Sequence, residues 1–399
     1  MAVAACGALA LTGAAPAGAV PGGAAPGGVR IAAGVTYRQL DLAGSRGLVH
    51  AHVVSADLRD PRVRIGLLHP TAVAARAAVS RLADAQGAVA GVNGDFFDIA
   101  ETQHPGVEAT GAADGPAVAD GLVLKGAVPD GQRFGPVLPS GATTEDVLGV
   151  GTDGRARLDR LALDGSVGTP GGSLPLRGLN QFALPQNSVG AFTAQWGSAS
   201  RVRAVCGSDT DRAAPCSTDT YEVTVRQGRV VSAAATPGGG PIAPGTTVLV
   251  GRESGARQLR RLSPGEPVTV RHRLVAAASR TPFRFALGGF PVLVHGQPLP
   301  GLDTRAFAVR TAVGIADGGR RLLLFALDGA PAYRGGLTVA QLADALRGLG
   351  AVDAFNLDGG GSTTLVTRAP GAAAVAVRNH PTGGAERPVA NGVGVFSAG

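Results

Sequence analysis

Apolar and polar positions along the chain alternate in ways that predict strands for most of its length and a helix at only a few points. LVHAHVVSAD (48–57) and VRIGLL (63–68) have the apolar, β-branched character of strands and are separated by a break at Asp60-Pro61. Ser80 is placed to cap a short helix ending near Gly87, and AVAGVN (88–93) reads as a buried strand. Between about 110 and 280 the texture changes. Short β-rich runs such as YEVTV and TTVLV lie between turn signals at Asp153-Gly154, Asp164-Gly165 and Gly238-Gly239-Gly240.

Strong patterning returns from Phe283. RLLLFALD (321–328) is a continuous apolar run suited to a central strand. Thr338 and Gln341 have capping-box spacing, in which each side chain satisfies an end amide of the other. Val339, Leu342, Leu346 and Leu349 then fall on one helical face, and Gly350 stops the helix. AFNLD (354–358) is the next strand. The resulting strand–helix–strand unit delivers Asp328 and Asp358, each followed by glycine, at its two strand ends. No repeat of fixed period occurs. These patterns predict an α+β fold: a large mixed, mostly antiparallel β-sheet core with few helices, spanning 29–399, with a β-rich inserted region at about 110–280.

Composition narrows the setting. Residues 2–19 are almost wholly small and apolar, and Ala17-Gly18-Ala19 fits a small-x-small cleavage site. Residues 1–28 therefore read as a signal peptide and linker, and the protein as secreted. The box Val3-Ala4-Ala5-Cys6 leaves a lipoprotein anchored through Cys6 as the alternative. The apolar stretch is too short and too broken for a stable membrane span in the mature chain. Cys206 and Cys216, close together in an exported chain, are expected to form a disulfide. The net charge of +7 rests on scattered arginines, with Lys125 the only lysine. Without a basic run or aromatics to stack bases, this charge points away from nucleic acid and toward small anionic substrates.

Four segments carry candidate chemistry. In NLDGGGSTT (356–364), three glycines after a strand permit close approach, and successive amides can converge on an anion with help from Ser362 and Thr363. Asp358 at the edge of that turn could bind a sugar hydroxyl, act as a base or hold a cation. Asn93-Gly94-Asp95-Phe96-Phe97-Asp98 places Asp95 beside hydrophobic anchors that would raise its pKa. Arg310-Thr311 at a strand start suits a phosphate oxygen, against the plainer reading of a surface arginine. Gly288-Gly289-Phe290-Pro291 is the fourth, explained equally well by close backbone packing. His50 and His52 share a strand face that is expected to be solvated, since no third metal ligand lies nearby.

Taken in order, VNGDFFD (92–98), GGFPVLVHG (288–296), RTAVGI (310–315), LLFALDG (323–329), GGLTVAQLADALRGLGAVDAFNLDGGGSTTLV (335–366) and ERPVANGVGVF (386–396) resemble the phosphodiester glycosidase domain family. The resemblance covers roughly 45–399 and is loosest in the middle. It implies hydrolysis of a sugar-1-phosphodiester, or of such a linkage in a cell-envelope glycan or exopolysaccharide, by cleavage at the anomeric carbon. On that basis our reading gives carboxylate roles to Asp95, Asp328 and Asp358. Phosphate contacts fall to Arg310, Thr311, Arg387 and the turn formed by Gly359, Gly360, Gly361 and Ser362, and sugar contacts to Asn93 and Asn356. No cofactor is specified; a divalent cation is compatible with these carboxylates, and its ligands are unknown. The family commonly has glycine where Asp95 stands, arginine where Ala330 follows Asp328-Gly329, and serine at the position of Arg334. Two alternatives stay open: a non-catalytic glycan-binding protein and a metal-dependent phosphodiesterase.

Overall fold

The computed structural model describes Met1 and residues 28–398. The expected signal peptide and Cys6 lie outside the described residues. Among those described, no helix is long and apolar enough to cross a membrane.

Strands dominate and helices are few, as expected of a mostly antiparallel β core, and among the described residues the strands form three sheets. The central one has eight strands in the order Val29–Ala32, Val35–Gly44, Gly47–Asp57, Arg321–Leu327, Thr311–Ala316, Asp353–Asn356, Phe290–Val294 and Gln297–Pro298. Every neighbouring pair in it is antiparallel. A five-stranded antiparallel sheet runs Ala376–Val377, Leu365–Thr367, Ala90–Asn93, Gly392–Ser397 and Val63–Leu68. The third sheet has eleven strands. Most come from residues 117–276, but Phe283–Gly288 from the last third runs between Asp146–Gly151 and Ala117–Ala119. The β-rich middle of the sequence is therefore stitched to the remainder by that strand. One parallel pair, Gly172–Leu179 with Val189–Phe192, interrupts the antiparallel pattern of this sheet.

The unbroken apolar run at 322–327 follows from burial on both faces of the central sheet. Leu323 and Phe325 join a core with Val339, Leu342 and Leu346 of the helix Val339–Gly348. Leu322 and Leu324 face the opposite way and pack with Val92, Leu365, Val393 and Val395 of the five-stranded sheet. A strand so enclosed needs no polar alternation. The helix begins with the expected capping box between Thr338 and Gln341, and Gly350 beyond its end has φ +90°. The first helix, Val79–Gln86, departs from expectation: Ala78 is its N-cap, and the Ser80 hydroxyl is instead donated to Glu386 at 2.5 Å. The Cys206–Cys216 disulfide is present.

Gly288 and Gly289 mark where the chain leaves the eleven-stranded sheet and enters the central one. A Cβ on Gly288 would lie 2.4 Å from Asp95 Oδ2 and 2.6 Å from Gly115 Cα, so close backbone packing accounts for this pair. Gly288→Ala is expected to cost about 1–3 kcal/mol through overpacking, read in urea unfolding as a lower midpoint with an unchanged slope.

Candidate active site

Asp328 and Asp358 follow the strands Arg321–Leu327 and Asp353–Asn356, which both pair antiparallel with Thr311–Ala316. The two strands thus run in the same direction and release their aspartates at one edge of the sheet. Backbone bonds hold these ends to the central strand: Leu327 N donates to Arg310 O at 2.9 Å and Leu357 N to Thr311 O at 3.0 Å. Asn93, at the end of a strand in the five-stranded sheet, reaches the same place. Its Nδ2 donates to Asp358 O at 2.6 Å, while its Oδ1 accepts from Thr311 Oγ1 at 2.8 Å and Thr364 N at 3.1 Å. Asn93 is fully buried, and its amide is committed to these protein partners.

The glycine turn works differently from an open anion nest. Gly360 N donates to Val309 O, Ser362 N to Gly359 O and Thr363 N to Gly360 O, so most of its amides are spent within the protein. The glycines instead make room. A Cβ on Gly359 would lie 2.6 Å from Val309 O, and one on Gly361 would overlap the Arg387 guanidinium. Arg387 is thereby laid across the turn, its Nη1 donating to Ser362 Oγ at 3.3 Å. Asp358 sits half-buried beside them. Burial raises its carboxyl to about 6, and the charge of Asp95 pushes the same way; Ser362, Arg387 and the Gly359 amide oppose the rise without cancelling it.

Asp328 is held by donors on every side. It accepts from Ala330 N at 2.7 Å, from His380 N at 3.1 Å and from His380 Nδ1 at 2.9 Å, and it meets His52 Nε2 at 3.1 Å. Burial raises its pKa, but these hydrogen bonds outweigh it and hold the carboxyl below its ordinary value. Burial also pushes His52 down, against the pull of Asp328. A neutral His52 then donates from Nε2 to Asp328 and accepts at Nδ1 from the Tyr37 hydroxyl, 2.8 Å away. The solvated histidine face expected from the sequence is thus corrected: His52 is 1% exposed and paired to a carboxylate. His380 is the open member, with its side chain 75% exposed. The period-two spacing of His50 and His52 was the available sequence signal; His380 and Tyr37 had none. The segment carrying His380 also bridges the two aspartates, since Gly329 N donates to His380 O and Thr382 Oγ1 to Gly360 O.

Three other expected site residues lie deeper. Asp95 is 2% exposed and accepts from Gly115 N at 2.7 Å. Burial raises it to about 6, against the nearby charges of Lys125 and Arg133. Burial likewise lowers Lys125 to about 8, and its ammonium donates to the carbonyls of Asp114, Gly115 and Gly126. Asp95 therefore belongs to a closed internal charge cluster. Arg310 is also buried; its Nε donates to Leu337 O at 2.9 Å and its Nη2 to Ala306 O at 2.6 Å, which makes it a tie between two loops. Asn356 is fully buried, and neither of its amide atoms has a protein partner. Among the described residues, the one group with metal-ligand proximity is His104, Cys206 and Cys216, away from this site and with its cysteines already joined.

Comparison with known proteins bears on what this edge does. The model of the phosphodiester glycosidase family (NAGPA) matches residues 219–396, a span that contains Asp328, Asp358, the glycine turn, His380 and Arg387. The resemblance is to the phosphodiester glycosidases. No curated protein matches the chain. A hypothetical protein from Synechocystis shares the fold at TM-score 0.70 and 21% identity, over 92% of this chain and 62% of that one. The chain thus spans under two thirds of that protein's length. A candidate exported protein from Burkholderia pseudomallei K96243 is similar at TM-score 0.68 and 23% identity, over 89% and 76% of the two chains. The catalytic domain of zebrafish N-acetylglucosamine-1-phosphodiester alpha-N-acetylglucosaminidase, auto-inhibited by its pro-peptide, aligns at TM-score 0.45 and 15% identity, over 92% and 84%.

The raised pKa of Asp358 has a consequence for stability with a definite sign. Below the ordinary value of 3.8 the carboxyl is neutral in both folded and unfolded chains; above about 6 the folded chain carries the cost of a half-buried charge. Asp358→Asn removes that cost. The variant is expected to melt with the wild type near pH 3.5 and above it at pH 7, the gap opening between about pH 4 and 6. Paired thermal melts across this range check it, and a variant less stable at pH 7 would contradict it.

Proposed function

We propose that this protein is a secreted hydrolase that cleaves a sugar-1-phosphodiester at the anomeric carbon, in the cleft edge between Asp328 and Asp358. The observation that carries the reading is the placement of Asp358, half-buried with its pKa near 6, against Ser362 and an arginine laid over the glycine turn. A phosphodiester needs a cation at its departing phosphate and a carboxylate near the electron-poor anomeric carbon. Arg387 and Asp358 supply both within a few ångströms of the same turn.

Above about pH 6, Asp358 faces the oxocarbenium-like centre as a carboxylate. Arg387 takes charge from the phosphate oxygen as the carbon–oxygen bond breaks. His380 is open to solvent and oriented by Asp328, so its imidazole can accept a proton from the water that adds to the anomeric carbon. The sugar leaves with the new hydroxyl, and the phosphomonoester stays on the other partner. Because phosphate is already a good leaving group, no strong general acid is required. Asp95 shapes this chemistry from behind, through its charge on Asp358. Asn93 and Arg310 hold the strand ends and loops that present it.

Hydrolysis of a sugar-1-phosphodiester in oxygen-18 water tests the reaction class. Label in the sugar is the expected outcome; label in the phosphate would make the protein a phosphodiesterase, and no products would make it a glycan-binding protein. kcat/KM is expected to rise through about pH 6 as Asp358 ionises, and Asp358→Asn to lose roughly 10²–10⁴-fold in rate. An unchanged rate in that variant would remove Asp358 from the reaction.

A further inference from the structure

Aromatic side chains are scarce here: Phe, Trp and Tyr make up 4% of the chain, with three tyrosines and seven histidines in all. Two of those tyrosines and three of those histidines nevertheless gather around Asp328. The His50 ring lies 5.4 Å from that of Tyr333 at a tilt of 33°, and 5.1 Å edge-on from His52. His52 stacks with Tyr37 at 6.1 Å and 12°. His380 closes the other side of Asp328. Of the five, His52 alone is buried; Tyr37, His50 and Tyr333 are half-buried and His380 is exposed. Core packing does not account for such a run, since four of its five members stay open to solvent while the core is filled by Phe, Leu and Val.

We propose that Tyr333, His50 and Tyr37 form the wall of a pyranose-binding subsite that seats the neutral sugar ring of the substrate beside Asp328, leaving its phosphate to Arg387. This deepens the glycosidase reading and rests on it for the orientation of the substrate. One face of a pyranose is a patch of C–H groups, which matches the face of an aromatic ring. Its hydroxyls need acceptors and donors at the rim, which the His380 and His50 imidazoles, the Asp41 carboxylate and the Tyr333 hydroxyl supply. Charge selects the class of sugar. Asp328 and the Asp41–His50 pair, 2.6 Å apart, line this side with carboxylates, which an acidic sugar would have to face. Arg378 lies 5.5 Å from the Tyr37 ring, and its Nε is taken by Thr367 Oγ1. The strands that release Asp328 and Asp358 are two positions apart in the sheet, so their ends are separated by about 10 Å. That is room for one ring and its phosphate, with the anomeric carbon between them.

Calorimetric titration of the full chain with neutral methyl glycopyranosides, and separately with inorganic phosphate, tests the subsite. At least one glycoside is expected to bind. Tyr333→Ala and His50→Ala should each weaken it roughly tenfold while leaving phosphate affinity unchanged, and Tyr333→Phe should retain it. Arg387→Ala should show the converse, losing phosphate and keeping the glycoside. Should an alanine variant lose both ligands through misfolding, Tyr333→Phe and His50→Gln decide: retained phosphate with glycoside affinity lowered by His50→Gln supports the wall. Absence of any glycoside binding at saturating concentrations, or glycoside affinity indifferent to both wall positions, overturns the proposal. Failure of turnover with the sugar still bound at this wall would count against hydrolysis and leave the subsite standing. Turnover with no dependence on the wall would do the reverse.

Discussion

The amide of Asn93 is where two sheets and a turn are pinned together. Its oxygen accepts from Thr311 at the start of a central-sheet strand and from the Thr364 amide, and its nitrogen donates to the Asp358 carbonyl. All of these groups are buried or nearly so, and a buried donor or acceptor left without a partner costs about 1–3 kcal/mol. Replacing Asn93 with an apolar residue of similar size would strand the Thr364 amide and the Asp358 carbonyl at once, while the Thr311 hydroxyl would keep Thr363. The position of Asp358 relative to the five-stranded sheet is therefore set by hydrogen bonding, while the sheets themselves are held by the apolar contacts of Val92, Val313 and Leu324. The hydrophobic core decides that the sheets pack; the amide decides where their ends meet.

Three carboxylates follow from that arrangement, and environment gives each a different character. Asp328 is supplied with donors by Ala330, His380 and His52, so it remains ionised and serves to orient imidazoles. Asp95 is sealed among Lys125, Arg133 and Asp114, and burial prevails over the two cations beside it. Its charge reaches Asp358, but its oxygens do not reach solvent. Asp358 lies between these extremes. It is buried enough for its pKa to rise and open enough to meet a ligand, with a cation on the neighbouring turn. Identical side chains are thus divided into an orienting group, an internal brace and a reactive candidate by nothing more than solvent and donor count.

Local signals in the sequence carried much of this. The capping box at Thr338 and Gln341 spans four residues, and the apolar run of 322–327 needs only its own composition, so both were legible. The positions of Asp328 and Asp358 at strand ends followed from them. What was not legible depends on partners far along the chain. His52 meets Asp328 across 276 residues, and Asn93 meets Thr311 across 218. Arg310 had the letters of a phosphate ligand, and in the fold its Nε and Nη2 donate to the carbonyls of Leu337 and Ala306. No spacing rule distinguishes an arginine that ties loops from one that faces a ligand. Ser80 shows the same limit, since a hydroxyl well placed to cap a helix is used instead by Glu386, 306 residues away.

The triple glycine shows how the letters of a motif can suggest one physical arrangement and the fold use another. Its sequence suggested amides converging on an anion, but those amides mostly close the turn itself. Each glycine is required for a separate steric reason: Gly359 clears the Val309 carbonyl, Gly360 takes a φ of +58°, and Gly361 leaves the space that the Arg387 guanidinium fills. The positive charge at this edge is therefore supplied by a side chain that the turn admits, carried on a segment whose Glu386 is anchored to the N-terminal amide and hydroxyl of Ser80. A full guanidinium is a stronger and more directional partner for phosphate than a few partial dipoles. Any side chain at position 361 would displace it, which makes the smallest residue of the motif the one on which the charge of the site depends.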